Sequence, residues 1–142
     1  MEMKNVSRIS KEVNLTDENL PLTDTTILKA HAFLWIETPM GRFLGKGRIE
    51  LMEKIIEHGS ISKAAKEMGM TYKKAWELIN SMNSQSAEPL VRTQTGGGGG
   101  GGAVVTEKGH RAITLFKGLR QRLDAFMQEE NQQLKSEMFG QF

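Results

Sequence analysis

A chain of 142 residues, 38% hydrophobic and 25% charged, has room for one domain plus additional helix and can bury a real core. The absence of cysteine excludes a disulfide framework and thiolate-held zinc or iron–sulfur centres. No apolar run is long enough to cross a bilayer, and the opening residues lack the apolar core of a secretory signal, so a cytoplasmic protein without a membrane role is expected. The formal net charge of +2 is uneven. Residues 1–41 hold four basic and six acidic side chains, residues 42–111 eleven and seven, and residues 112–142 four of each.

The first 25 or so residues are polar, acidic and aperiodic, and predict a flexible N-terminal arm over residues 1–25. The β-formers of His31–Glu37 read as a strand, Thr38–Gly41 as a turn and Arg42–Leu44 as the returning strand. Gly47 then precedes an amphipathic helix over Arg48–His58, with Ile49, Met52, Ile55 and Ile56 at helical spacing. Gly59 stops that helix and Ser60 caps the next. Ala64, Ala65 and Met68 form the inward face of this short second helix, where small side chains let two helices cross closely. Gly69 makes the turn and Thr71 caps a third helix, whose Ala75, Ile79 and Met82 face the core.

Two short strands follow, one within Glu88–Gln94 and one over Ala103–Thr106, with seven glycines between them. Thr106 caps a last helix that starts at Glu107 and runs to about residue 135. The predicted fold is α+β and mainly helical: a winged helix-turn-helix with an N-terminal β-hairpin and a long C-terminal helix. The implied organisation is an arm (1–25), the winged domain with its hairpin (26–106) and the long helix (107–142).

A helix-turn-helix of this kind places the start of its second helix against base edges in the major groove of double-stranded DNA. Here those residues are Thr71, Tyr72, Lys73 and Lys74. Lysine donates to guanine or phosphate, and threonine and tyrosine donate or touch a thymine methyl. Ser62 and Lys63, in the first turn of the preceding helix, are placed for phosphate. Trp76 is read as core rather than contact.

The wing supplies Arg92, Thr95 and the run Gly96, Gly97, Gly98, Gly99, Gly100, Gly101 and Gly102, whose bare backbone can approach a groove or phosphates. Lys108, His110 and Arg111 are further backbone-contact candidates. A nucleotide-binding P-loop would need Lys-Ser or Lys-Thr after the last glycine, and Ala103-Val-Val stands there instead. The bland alternative for each of these cations is a solvated surface charge.

On the last helix Ala112, Phe116, Leu119, Leu123 and Phe126 alternate steps of four and three, a seam suited to pairing two copies. The competing assignment packs that seam on the domain's own core. No catalytic constellation is present. His31, His58 and His110 are far apart in sequence with no metal-ligand spacing, so neither an enzyme, a metal site nor a cofactor is expected.

The run from Gly59 to Trp76, then Ile79–Asn83, Pro89–Gly97 and the return through Gly101–Gly109, resembles the DNA-binding domain of ModE-type molybdenum-dependent transcriptional regulators. It is similar, more distantly, to the winged helix-turn-helix of LysR-type regulators. The resemblance covers about residues 30–130. It implies a dimeric, sequence-specific regulator of molybdenum transport or cofactor genes, with Thr71–Lys74 reading the operator. Regulators of that type sense molybdate through a separate C-terminal module, and 142 residues lead to the expectation of the DNA-binding half alone. The alternative carried forward is a small-oxyanion sensor for molybdate or tungstate.

Overall fold

A computed structural model of the chain describes residues 21–23, 25–94 and 102–140. These contain four helices and two antiparallel hairpins. Strands β1 (Trp35–Thr38) and β2 (Gly41–Gly45) are followed by α1 (Lys46–His58), α2 (Ile61–Glu67) and α3 (Tyr72–Ser84). Strands β3 (Val91–Gln94) and β4 (Gly102–Val105) then lead into α4 (Glu107–Phe139). The expected mainly helical α+β architecture is therefore present. Most of the predicted arm lies outside the described residues, as do Thr95 and Gly96–Gly101 of the wing.

The first hairpin pairs Trp35 with Gly45 and Thr38 with Gly41, with a register shift between Ile36 and Glu37. Its strand begins at Trp35 rather than at the expected His31, because the partner strand ends at Gly45 and the chain then coils into α1. A strand persists only as far as its ladder. Helix α1 also begins earlier than expected, at Lys46, with extended Gly45 as its N-cap and Gly47 inside its first turn.

Ile49, Leu51, Met52 and Ile55 of α1 are buried. Ile56 is not: it remains 47% exposed at the edge of the apolar stripe, and the fully buried Leu51, one turn before Ile55, joins the core instead. At the end of α1, Gly59 takes the left-handed φ of 67° and returns its N–H to the Ile55 carbonyl at 2.7 Å. A side chain would be strained in that conformation.

The core of the central unit, His31–Met127, gathers α1 with Ala64 and Ala65 of α2, and with Ala75, Ile79 and Met82 of α3. Leu90, Val91, Ala103 and Val105 of the wing strands join it, as do Ala112, Ile113 and Phe116 of α4. Each large apolar side chain so buried contributes about 1.5–3 kcal/mol. Met68, expected on the inward face of α2, is only partly buried.

The described residues of 21–30 with 128–140 belong to a second compact unit. In it the Asn131 amide accepts from the Ala30 N–H at 2.6 Å and donates to the Ala30 carbonyl at 3.1 Å. The last helix reaches Phe139, one turn beyond the expected end. Among the described residues, no helix is long and apolar enough to cross a membrane.

Candidate nucleic-acid interface

The turn between α2 and α3 is built by short-range rules. The Ser60 hydroxyl accepts from the Lys63 N–H at 3.1 Å and holds the start of α2. Gly69 follows α2 with φ of 70°, and Met70 N–H closes the turn on the Ala65 carbonyl at 3.0 Å. Thr71 then caps α3 by accepting from the Lys74 N–H at 3.0 Å. Caps of this type are worth about 1 kcal/mol each. Their geometric effect is to aim the first turn of α3 outward, with Tyr72, Lys73 and Lys74 all exposed.

The wing is tied to the α1–α2 junction that precedes this motif. Ala103 N–H donates to the Gly59 carbonyl at 3.0 Å. A Cβ on Gly102 would stand 3.1 Å from that same oxygen. The hairpin pairs Val91 with Val105 and Gln94 with Gly102, so its side chains alternate across the two faces.

Ser60, Ser62, Tyr72 and Trp76 consequently share one groove with Thr93, Gln94 and Gly102. Tyr72 packs edge-on against Trp76, ring centroids 6.2 Å apart. Trp76, expected in the core, is only half-buried against it and also lines this groove, and Tyr72 stays 54% exposed. Of the residues singled out above, the fold thus brings Ser62, Tyr72 and Gly102 together.

Arg92 goes elsewhere. One position from Thr93 on the strand, it faces a different groove, shared with Lys108 and Arg111. Lys108 pairs there with Glu88 at 3.7 Å. Lys63 and Lys73 are exposed, and Lys74 lines a third hollow beside β2.

Residues 47–110 match the family described as bacterial regulatory helix-turn-helix protein, lysR family. The DNA-binding transcriptional dual regulator ModE of Escherichia coli K12 is 44% identical over 94 residues, which is 66% of this chain and 36% of that protein. The molybdenum transport protein ModE of Azotobacter vinelandii is 36% identical over 84 residues, 59% of this chain and 31% of that one. The molybdenum-pterin-binding protein MopA of Rhodobacter capsulatus is 44% identical over 73 residues, 51% and 28% respectively. Over these residues the chain is similar to ModE-type regulators and has the helix-turn-helix of the matched family. It spans about a third of the length of the curated relatives it matches.

Sequence reasoning passed over the residue that joins α3 to the wing. The Asn83 carboxamide oxygen accepts from the Leu90 and Val91 N–H groups at 2.8 and 3.3 Å, and its nitrogen donates to the Val91 carbonyl at 3.0 Å. An Asn near a helix end, eight residues before a strand, is the only signal the sequence offers for this.

On α4 the proposed pairing seam is divided. Ala112 and Phe116 lie in the domain's own core, Leu119 and Leu123 are half-buried, and Phe126 is 59% exposed.

The three histidines also looked isolated in sequence, yet His58 lies beside Glu57 and Glu67, their ligand-type atoms within 4.8 Å of one another. The chemistry of the cluster is an ion-pair clasp between α1 and α2. The Lys54 ammonium stands 2.6 Å from Glu67 and 3.3 Å from Glu57, and His58 bonds to the same Glu67 carboxylate. Lys54, then His58, hold the Glu67 carboxyl below its ordinary pKa. Glu67 and Glu57 in turn hold the Lys54 ammonium above its own.

Proposed function

We propose that the chain is a sequence-specific DNA-binding transcriptional regulator that works as a homodimer in the cytoplasm and controls molybdenum-related genes. The single observation that carries this reading is the capped, outward-facing first turn of α3, flanked by a groove that joins it to the root of the wing. In that arrangement Thr71, Tyr72, Lys73 and Lys74 meet base edges. Ser62 and Lys63 meet one phosphate strand, and the wing, from Thr95 through Gly102, meets the neighbouring groove. The similar proteins, a DNA-binding regulator and a molybdenum transport protein, support both the DNA partner and the molybdenum connection.

Two copies would pair through the part of the α4 seam that the core does not use, Leu119, Leu123 and Phe126. Ala112 and Phe116 support that helix from beneath.

The test is equilibrium binding of the purified chain to its selected duplex and to a scrambled one at near-physiological salt. A Lys73→Ala, Lys74→Ala double variant is expected to lose about 1–3 kcal/mol of discrimination between the two. Unchanged discrimination would mean that another element reads the bases.

A further inference from the structure

The hollow beside β2 has a composition that the helix-turn-helix does not require. Arg42, Lys46, Arg48, Lys74 and Arg120 all line it, and no carboxylate does among the described residues. Only Arg120 has an acid partner among the described residues, Asp124 at 3.1 Å. The other four cations converge without a counter-charge among the described residues and repel one another. At Arg48 burial pulls the guanidinium below its ordinary pKa, and the neighbouring Arg42 charge adds to that.

The fold enforces this convergence. Arg48 Nη1 donates to the Arg42 carbonyl at 2.8 Å and to the Ser81 hydroxyl at 2.9 Å. Gln85 donates to the same Arg42 carbonyl at 2.8 Å. Strand β2, α1 and α3 are thereby locked together at this point. Arg42 is stacked 4.5 Å from the centre of the Trp35 ring, a posture that holds the guanidinium flat and leaves its edge donors available.

We propose that this cavity binds a tetrahedral oxyanion, and that the phosphates of a DNA backbone running past the start of α3 are its source. The proposal rests on the DNA-binding reading above. Lys74 belongs both to the first turn of α3 and to the cavity lining, so the basic surface is continuous with the edge that would read bases. Size favours the backbone over a lone ion. The cavity measures about 640 Å³, the room of on the order of twenty water molecules, and a single small anion would leave most of it wet. The N-terminal hairpin then acts as a second backbone grip beside α3, separate from the wing.

The test compares the intact chain with an Arg42→Gln, Lys46→Gln variant, both exposed positions, and with a Lys29→Gln, Lys135→Gln charge-matched control. Two readouts are taken. One is duplex affinity across a salt series, for both selected and scrambled DNA. The other is the thermal shift of the protein alone with sulfate, with chloride at equal ionic strength as reference.

The backbone source predicts that the variant weakens both duplexes by about the same factor and flattens the log–log salt dependence by about two, one for each phosphate left unneutralised. The control leaves the slope unchanged. A free anion as the source would give wild-type duplex affinity but loss of the sulfate-specific shift, overturning the DNA assignment while keeping the oxyanion site. A variant that matches wild type in both readouts overturns the site altogether. If the intact chain binds no duplex at all, the DNA reading fails first, and the sulfate arm still decides whether the cavity takes an oxyanion. An Arg42→Lys, Lys46→Arg exchange that keeps the slope shows that charge, rather than altered folding, is what the Gln variant removes.

Discussion

Gly109 shows how one missing side chain places the long helix. A Cβ there would sit 2.4 Å from the Leu90 carbonyl oxygen and 2.5 Å from a Val105 methyl. Neither neighbour can withdraw, because Leu90 O accepts the Thr106 N–H at 2.9 Å and Val105 is in the wing ladder. Helix propensity alone would make Gly109→Ala favourable by about 1 kcal/mol. The clash opposes it by about 1–3 kcal/mol or more, with backbone on one side of the contact, and the clash wins. Gly118 provides the contrast, since its Cβ would meet only the flexible end of Arg122 at 3.4 Å. Chemical denaturation should therefore show Gly109→Ala destabilised by up to about 2 kcal/mol net and Gly118→Ala neutral or stabilised by up to about 1 kcal/mol. Equal stability of the two variants would contradict this packing of α4 under the wing.

At the scale of elements, α1 and α2 are held by buried apolar contacts and, at their exposed edge, by the Lys54–Glu67–His58 clasp. A carboxyl whose folded pKa is depressed stabilises the fold above its unfolded value and loses that contribution as pH falls through the folded value. For Glu67 the loss therefore begins below about pH 4.5 and is screened by salt. Thermal melting of wild type and Glu67→Gln should show a small gap near pH 6 that closes toward pH 3 and shrinks in 1 M salt. A gap constant with pH would mean that the clasp does not contribute.

The same elements show what a sequence discloses. Ser60, Gly69 and Thr71 announced the helix-turn-helix because caps and left-handed turns obey rules spanning three or four residues. The exchange of Leu51 for Ile56 in the core was hidden, since it depends on which edge of the α1 stripe other elements cover. The side on which Arg92 emerges required the wing register. The basic hollow joins residues from β2, α1, α3 and α4, and no local pattern connects them.

At the largest scale, the central unit is a helical core with an outward-facing α3, a wing anchored at Gly59, a polar and aromatic groove on the wing side of α3 and a cluster of cations in the hollow beside β2. Positive charge is concentrated in residues 42–111, where these surfaces lie. Such a distribution suits a partner that is polyanionic and grooved. If two copies pair through Leu119, Leu123 and Phe126, the paired α3 helices must meet DNA related by a two-fold axis.

Whether α3 reads DNA sequence is decided by selecting bound duplexes from a random pool with the purified chain at near-physiological salt. The expected result is enrichment of one motif with two-fold symmetry and half-sites about one helical turn apart, roughly 34–36 Å. A pool no different from its starting composition would contradict the assignment of α3 as a reader of DNA sequence.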